Sequence, residues 1–423
     1  MTTTSKMPIT MKAIFIICLA ASFYIYEFFL RVMPSAMSAE LMHYFNITAQ
    51  GLGIVAALFF YGYTPLQIPA GILIDRFGPR KLLTIGAMIA AICSLLFAST
   101  DQVVFAGLSR LFIGIGSSVA YIATLVLATR WFASKHFAFI AGFVQLLGCL
   151  GAILGLAPVA ALSQYLGWQY TFYIAGGVGI LLTLLFWVGI KDYPTHQLSS
   201  QNYHKHNNEW QNLKCLLRKP YTWWVGLSAF TFWAPVSIFA ELWGVPALTV
   251  LYHVNNVIAS SMISLFWLGI AVFSPLVGWW SDKIHSRRIP LIIASIVGII
   301  CSFIIVYSPD ANLCLISIIL FIYGFAAASQ ALTFAVVQDN TPYRLAGTAV
   351  GINNTAVVFG GVLLQPLIGF ILHALWSGRT LLNLPVYTIS NYRVALSILP
   401  LCSILGLMIN LFFIQETHCQ RQY

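Results

Sequence analysis

Four ionisable side chains stand within long apolar stretches of the 423-residue sequence, namely Glu27, Arg31, Arg110 and Glu241. The planar guanidinium of an arginine suits a carboxylate or a phosphate group. Burial penalises the charged form of a glutamate and a neighbouring arginine favours it, so a ligand that competes for the arginine changes proton binding. If the apolar stretches cross a membrane, each charge must face a cavity or pair with another charge. These residues predict a site that holds an anionic group and takes up and releases a proton.

The spacing of the candidate residues places them on helical faces. Glu27 and Arg31 are four residues apart and share a face, so a permanent ion pair with a purely structural role is the alternative. At about 1.5 Å of rise per residue, Arg110 and Glu27 lie at similar depths in their helices. The uncharged candidates for contact with a polar solute are Tyr121, which shares the face of Arg110, Gln330 and Asn354. Amide side chains bond neighbouring helices at least as often as they bind a solute.

The composition indicates which kind of element positions these residues. Apolar residues make up 60% of the chain and charged residues only 8%, and the mean hydropathy is +0.87. A soluble domain carries about 25% charged residues. In lipid, every backbone group must be paired inside the spanning element, which leaves helices or a closed barrel. Apolar runs such as 82–98 lack the alternation of barrel strands, so the sequence predicts an all-α integral membrane protein.

The apolar runs predict twelve transmembrane spans. They cover residues 13–37, 50–74, 82–99, 102–130, 137–162, 168–190, 221–249, 257–280, 289–308, 312–338, 346–374 and 392–415. The long polar stretch 191–219 divides six spans from six. We therefore expect an N-terminal six-helix bundle at 1–190, a cytoplasmic connecting loop at 191–219 and a C-terminal six-helix bundle at 220–423.

The cations are distributed unevenly between the two sides of the predicted membrane. Of the 21 Lys and Arg residues, Arg379 and Arg393 fall outside and Arg31 and Arg110 lie within spans, and the other 17 are inside if the N-terminus is cytoplasmic. The positive-inside rule then predicts that both termini are cytoplasmic and that the protein is integral to a cell membrane, the bacterial inner or plasma membrane. The formal charge of +10 is therefore explained by the membrane topology and by attraction to anionic lipid, and we expect no nucleic-acid partner.

One motif occurs twice, between spans 2 and 3 and between spans 8 and 9. In each copy a glycine precedes an aspartate by four residues and two adjacent cations follow the aspartate by five and six, and the copies lie 207 residues apart. The candidate gating residues are Gly71, Asp75, Arg76 and Arg80 in the first copy and Gly278, Asp282, Arg287 and Arg288 in the second. The glycine lets a neighbouring helix approach, and the aspartate meets a cation or a helix N-terminus. We expect a brace that forms in one conformation and is released in another, with ordinary topogenic charges as the alternative.

The segment Gly71–Lys81 resembles the signature loop of the major facilitator superfamily, and Arg110 with Gly114 and Gly116 resembles that family's intramembrane arginine motif. The resemblance covers essentially the whole chain. It implies two six-helix bundles related by a pseudo-twofold axis around a central cavity that opens alternately to each side, with spans 1, 4, 7 and 10 lining it. Span 5 lacks the adjacent Gly-Pro that antiporters of the family often carry, which weakens a drug-efflux interpretation.

Several function classes are disfavoured by the sequence. It contains no GxxxxGK[ST] loop for ATP, no recognisable nucleophile–base pair of an enzyme and no metal-ligand pattern, so we expect no cofactor and no metal. We expect a monomeric secondary transporter whose partners are a small solute, protons and membrane lipid. The preferred solute is an amino acid or an organic acid imported with protons. A siderophore or other polycarboxylate, or an organophosphate, is the alternative solute, and a membrane sensor that does not transport is a third hypothesis.

Overall fold

The computed structural model of the chain describes residues 10–132, 136–194, 209–308, 312–342, 345–381 and 384–420. The helices of the first half are α1 (Met11–Ala36), α2 (Ser38–Tyr44), α3 (Ala49–Tyr63), α4 (Gln67–Phe77), α5 (Pro79–Ser99), α6 (Val103–Ser117), α7 (Ala120–Trp131), α8 (Phe137–Leu154), α9 (Ala157–Leu166) and α10 (Trp168–Gly189). The helices of the second half are α11 (Glu209–Leu217), α12 (Pro220–Pro235), α13 (Gly244–Leu251), α14 (Asn256–Ile284), α15 (Arg288–Tyr307), α16 (Leu313–Ala328), α17 (Gln330–Asp339), α18 (Ala346–Ala374), α19 (Ile389–Leu396) and α20 (Ile398–Phe412).

Four short elements lie between these helices. A 3-10 turn, Thr64–Leu66, joins α3 to α4, and a π-helical segment, Val236–Trp243, joins α12 to α13. The two-residue strands β1 (Thr380–Leu381) and β2 (Leu384–Pro385) pair antiparallel near the start of α19. The predicted loop 191–219 contains helix α11, while its residues 195–208 lie outside the described residues.

The helices confirm the prediction of an all-α membrane protein. Within the described ranges, eleven helical stretches are long and apolar enough to cross a membrane. A twelfth is reached if Ser38–Tyr44 and Ala49–Leu66, which meet at an angle of 109°, count as one span. Because each candidate span is predominantly apolar and pairs its backbone groups within the helix, a bilayer is a suitable solvent for it.

Prolines explain part of the irregularity within the predicted spans. A proline has no N–H and therefore leaves the carbonyl four residues earlier without its helical partner. Pro34 lies inside α1, so the carbonyl of Leu30 lacks a donor from its own helix. Pro235 ends α12, and the π-helical segment begins at the next residue. Both interruptions lie where the predicted ionisable residues of spans 1 and 7 are found.

The helices form two bundles. Helices α1–α10 pack on one another as the N-terminal bundle and helices α12–α20 as the C-terminal bundle. The bundles meet where α3 packs along α18 and where α14 packs on α8 and α9. A Cβ at Gly53 would lie 2.7 Å from the carbonyl oxygen of Gln365, and one at Gly369 would lie 2.5 Å from that of Ala49. Glycine at these two positions therefore permits the close approach of α3 and α18.

The two bundles are in closer contact at one end than at the other. At the first end the side chain of Asn256, which begins α14, donates to the carbonyl of Ala36, which ends α1, over 2.5 Å. We call this the sealed end. Toward the opposite end of α4 and α14, a Cβ at Gly71 or at Gly278 would have no atom of the described residues within 4 Å. We call this the open end.

Candidate functional site

Arg31 lies between two carboxylates, one from each bundle. Its Nη2 donates to Oε1 of Glu27, one turn earlier in α1, and its Nη1 donates to Oε1 of Glu241 over 3.4 Å. Glu241 belongs to the π-helical segment of the C-terminal bundle. Glu27, Arg31 and Glu241 are 0%, 3% and 1% exposed. The structure therefore brings three of the predicted site residues together in one buried ion cluster that joins the two bundles.

Aromatic rings surround the guanidinium of Arg31. Its central carbon lies 4.4 Å from the ring centre of Phe28 and 4.9 Å from that of Tyr63. Phe59 and Phe60 of α3 lie at 5.5 Å. Such rings attract a cation and replace part of its lost hydration. The sequence analysis did not select these aromatic residues, although the spacing of Phe59 and Tyr63, four apart in α3, places both on one helical face.

The ion cluster has unused hydrogen-bonding capacity. Among the described residues, Oε2 of Glu27, Oε2 of Glu241 and Nε of Arg31 have no hydrogen-bond partner. A buried polar atom without a partner costs about 1–3 kcal/mol, and more when it is charged. These atoms are therefore suited to receive a proton or a polar group of a solute.

Arg110 binds the backbone of α1. Its Nη1 donates to the carbonyl of Leu30 over 2.7 Å, and its Nη2 reaches the carbonyl of Arg31 at 3.4 Å. The carbonyl of Leu30 is the one that Pro34 leaves without a helical donor. Arg110 is 1% exposed and makes no ion pair within the part of the chain that the structure describes. The guanidinium of Arg110 therefore lies about one turn of α1 from Glu27, near the similar depth expected for these two residues, and in this conformation it supports the α1 backbone beside the ion cluster.

Tyr121 lies against the polar face of α1. Its ring centre is 5.0 Å from that of Tyr24, whose hydroxyl donates to Oε1 of Gln145 over 3.2 Å. Tyr24 stands one turn before Glu27 in α1, so these polar groups approach the ion cluster from the open end. Tyr121 and Arg110, which were expected on one helical face, therefore both contact α1.

The two predicted amides have other positions. Asn354 donates from Nδ2 to Oε1 of Gln67 over 2.8 Å and thereby joins α18 to α4 across the two bundles. Gln330 begins α17 and is 8% exposed. The described hydrogen bonds place neither side chain on the ion cluster, so their predicted contact with a solute stays a prediction.

Further bonds between the bundles lie on the sealed-end side of the ion cluster. Ser35, one turn beyond Arg31 in α1, donates to the carbonyl of Leu242 over 2.7 Å. The hydroxyl of Tyr387 accepts the N–H of Ala49 at the start of α3 over 2.9 Å. Arg31 and Glu241 are thus the charged members of a set of contacts that hold the sealed end together.

The two copies of the predicted gating motif lie at the open end. Asp282 accepts from Nη1 of Arg287 over 2.6 Å, and a cation is one of the two kinds of partner expected for the motif aspartate. In the first copy the guanidinium of Arg76 stacks 5.2 Å from the ring centre of Phe77. The close helix approach expected at the two motif glycines is not seen here, because a Cβ at either position would have no atom of the described residues within 4 Å.

The structure shows which cations of the two motif copies correspond to each other. The sequence offset matches Arg80 with Arg287, but the side chain of Arg80 donates through Nε to the carbonyl of Trp187 in α10, over 2.9 Å. Arg288 makes the corresponding bond, through Nε to the carbonyl of Asn410 in α20, over 3.0 Å. The connection between α14 and α15 has three residues, 285–287, whereas Gly78 alone lies between α4 and α5. The side-chain counterpart of Arg80 is therefore Arg288.

Two carboxylates that the sequence analysis missed cap these helices. Oδ1 of Asp192 accepts the backbone N–H of Arg80 over 2.8 Å at the start of α5. Glu416 accepts the backbone N–H groups of Arg287 and Arg288 over 2.9 and 3.1 Å at the start of α15. An anion is favoured at a helix N-terminus by the helix dipole. An acidic residue just after spans 6 and 12 was the available sequence signal.

Comparisons of sequence and structure identify known proteins that are similar to this chain. Residues 14–365 match the Major Facilitator Superfamily. The chain is 28% identical to the chloroplastic ascorbate transporter of Arabidopsis thaliana, over 81% of this chain and 66% of that protein. It is 26% identical to the D-galactonate transporter of Escherichia coli O6:H1, over 81% of this chain and 85% of that protein. A bacterial homologue of the human lysosomal transporter Spinster, crystallised inward-facing and unoccupied, has the same fold, with a TM-score of 0.77, 17% identity and 96% of each chain covered.

Proposed function

The chain belongs to the Major Facilitator Superfamily, whose members are transporters and not enzymes, and we propose that it carries a small organic anion together with protons. The observation that carries the proposal is the buried cation Arg31, which is held by one carboxylate from each bundle. An acidic group on a solute has the same chemistry as the side chain of Glu241 and forms the same charge-assisted hydrogen bonds with a guanidinium. The solute is therefore able to take the place of a carboxylate of the protein.

The charge balance of the site supports proton coupling. Glu27 and Glu241 carry two negative charges and Arg31 and Arg110 two positive charges, so the four groups are neutral together. Adding an anion to a buried neutral site leaves an uncompensated charge, which is costly away from water. A proton taken up by one of the glutamates restores neutrality. Anion and proton are thus expected to bind together.

The relatives support a hydroxylated organic acid as the solute. Two of them are named as transporters of D-galactonate and of ascorbate, and both compounds are organic acids that carry hydroxyl groups. In this chain, Tyr24, Tyr121 and Gln145 lie on the open-end side of the ion cluster and offer hydrogen bonds to such hydroxyl groups. Because a fold does not fix a substrate, polycarboxylates, organophosphates and amino acids belong in the same screen.

The orientation and the direction of transport are part of the proposal. The excess of Lys and Arg in the connections at the open end favours that end as the cytoplasmic one, with both termini in the cytoplasm of a bacterial cell. The sealed end then faces outward. The bundles 1–190 and 220–423 rock against each other, so that a solute enters where the sealed end opens and leaves by the open end. A proton gradient directed inward drives import.

Uptake into proteoliposomes with an imposed pH gradient tests the proposal. The panel contains D-galactonate, ascorbate, amino acids, polycarboxylates and organophosphates, each labelled, and the inside is made alkaline. We expect at least one organic anion to accumulate, and we expect Arg31→Gln to abolish its accumulation. Arg379→Gln, which changes an exposed arginine in the connection before α19, is the matched control and should behave as the unmodified protein. Uptake that persists in Arg31→Gln would refute the assignment of Arg31 as the anion-binding residue.

A further inference from the structure

The two carboxylates on Arg31 are not equivalent, because they belong to different moving parts. Glu27 lies on the same helix as Arg31, four residues earlier, so any rigid movement of α1 carries both residues together. Glu241 lies in the C-terminal bundle and meets Arg31 only while the bundles are in contact toward the sealed end. When that end opens, the Arg31–Glu27 pair persists and the Arg31–Glu241 pair is broken.

The groups around Glu241 determine whether its carboxylate stays charged once it has separated from Arg31. The titratable and charged groups that face the cluster are Glu27, Arg31 and Tyr24 of α1, Tyr63 of α3, and Arg110 of α6, which is held on the α1 backbone. Arg31 is the cation that contacts Glu241 among the described residues. On the C-terminal-bundle side the indole of Trp233 also faces the carboxylate of Glu241, and Trp267 packs against Trp233. A carboxylate that loses its cation in apolar surroundings is stabilised by taking up a proton.

The same separation frees one side of Arg31. Nη1, which donates to Glu241 in this conformation, loses its acceptor, while Nη2 keeps Glu27. Nε already has no acceptor among the described residues. A guanidinium presents Nε and the Nη groups as parallel donors, which an incoming carboxylate can accept two at a time. The vacancy that Glu241 leaves is therefore suited to an acidic group of a solute.

We infer that Glu241 is the proton carrier of this protein and that the solute's acidic group occupies the place that Glu241 vacates on Arg31. The inference rests on the proposed function and assigns its two ligands to separate sites. With the sealed end open, one proton binds a carboxylate oxygen of Glu241 and one anion binds Arg31. When the end closes, Glu241 returns to Arg31, releases its proton to water at the open end and displaces the anion toward the same end. One monoanion and one proton move per cycle, so transport of a monoanion is electroneutral.

The local backbone suits a residue that must change partners. Glu241 sits in a π-helical segment of eight residues, all buried, with Pro235 directly before it and Pro246 three residues after it. A π-helix is rare, costs stability and occurs frequently at functional sites. A proline on each side removes backbone hydrogen bonds from the adjoining turns. The segment can therefore shift relative to α12 and α13 at a smaller cost than a regular helix.

Two isosteric substitutions distinguish this role from a structural one. Glu241→Gln imitates the protonated residue, weakens its hold on Arg31 and is expected to favour the conformation with the sealed end open at every pH. Glu27→Gln removes the competitor for Arg31, strengthens the Arg31–Glu241 pair and is expected to favour the closed sealed end, with the pH response retained. If the cluster were only a structural ion network, both substitutions would weaken it in the same direction.

The experiment measures the distance between spin labels across the sealed end. The labels replace the exposed residues Asp101, in the connection before α6, and Leu313, at the start of α16, after substitution of the eight native cysteines. Electron–electron double resonance is recorded in nanodiscs at about pH 5 and about pH 8, which bracket the range where a shielded carboxylate titrates. No solute is added, so a failure here is separate from a failure of the uptake screen.

We expect the unmodified protein to populate the longer distance more at the lower pH. Glu241→Gln should show the longer distance at both pH values, with the ratio of open to closed molecules at pH 8 raised about tenfold or more. Glu241→Asp, which keeps the acid, should retain a pH response and guards against a folding defect of the glutamine variant. Glu40→Gln, which removes a carboxylate outside the ion cluster at the same end, is the matched control. An unchanged pH response in Glu241→Gln, or equal shifts in Glu27→Gln and Glu241→Gln, would overturn the inference.

Discussion

The bond between Arg110 and α1 leads to a prediction about the coupling of two distant residues. Arg110 donates over 2.7 Å to the carbonyl of Leu30, which lacks a helical donor because Pro34 stands four residues later. Pro34→Ala restores that N–H, so the carbonyl no longer depends on Arg110. We therefore expect Arg110→Met to cost more in the presence of Pro34 than in the Pro34→Ala background.

The magnitude follows from the chemistry of the bond. A hydrogen bond from a charged donor contributes about 1.5–3 kcal/mol, and a buried acceptor left without a partner costs about 1–3 kcal/mol. The single variant Arg110→Met also removes a buried cation, which offsets part of that cost. The double-mutant cycle cancels this second effect, because both backgrounds lose the same charge. The expected coupling energy is about 1.5–3 kcal/mol.

Reversible unfolding by SDS in bicelles measures the four free energies of the cycle. A control cycle pairs Arg110→Met with Pro275→Ala, since Pro275 lies in α14, away from Arg110, and is expected to give additive costs. If the Arg110 and Pro34 substitutions are additive within about 0.5 kcal/mol, the carbonyl of Leu30 is not what Arg110 serves, and the account of Arg110 as a support of α1 is refuted.

Three further predictions concern the two ends of the bundles. Burial alone would raise the pKa of Glu416, but bonds from the hydroxyl of Ser286 and from backbone N–H groups at the start of α15 hold that pKa below its usual 4.5. The stabilisation by Glu416 is therefore present above that pH and is lost as the pH falls through the lowered pKa. In Glu416→Gln the melting temperature should consequently fall less steeply with acid than in the unmodified protein. Gly361→Ala places a methyl group against the ring of Phe60 in the other bundle and should lengthen the label distance across the sealed end, whereas Gly347→Ala on the same helix, which meets no described atom within 4 Å, should not. Tyr387→Phe removes the bond to the start of α3 and should raise the open-to-closed ratio of that end roughly fivefold, for about 1 kcal/mol; an unchanged distance distribution would contradict the assignment.

The charged members of the site could be predicted from the sequence because burial costs are local. Glu27, Arg31 and Glu241 stand in apolar runs, and a charge in such a run requires a partner wherever the helix packs. The identity of the partner could not be predicted, because the Arg31–Glu241 pair depends on how two bundles dock. The aromatic surround of Arg31 was missed for the same reason, since α3 supplies most of it.

Arg110 was selected from the sequence as a site residue, but its contact with the backbone of α1 was not predicted. Its type and position predicted a binding residue, and the structure places its guanidinium on backbone carbonyls of α1. The signal for that role was in the sequence, since Pro34 inside an apolar span leaves a carbonyl that another element must satisfy. For the motif cations, the sequence did not indicate which residues of the two copies have the same structural role. Their side-chain roles do not follow the offset of 207 residues, because three residues lie between α14 and α15 and only one between α4 and α5, so that Arg288 and not Arg287 corresponds to Arg80.

The glycines of the repeated motif depend on conformation as well as on sequence. Gly71 and Gly278 predicted a close helix approach, and in this structure both face open space. A motif residue is present in the sequence whichever conformation it acts in, whereas a single structure shows the contacts of one conformation. In the alternating cycle proposed here, these glycines meet their neighbours when the open end closes.

The accumulation of an organic anion under a known pH gradient tests the central claim most directly. For electroneutral symport of one proton with one monoanion, an inside-alkaline gradient of one pH unit should give about tenfold accumulation at equilibrium, because one pH unit and a tenfold concentration ratio are the same free energy. The measurement uses proteoliposomes, with the membrane potential clamped at zero and the anion identified by the screen. The account predicts this tenfold ratio for the unmodified protein and no accumulation of the anion in Arg31→Gln. Equal concentrations inside and outside in the unmodified protein, or accumulation in Arg31→Gln, would contradict it.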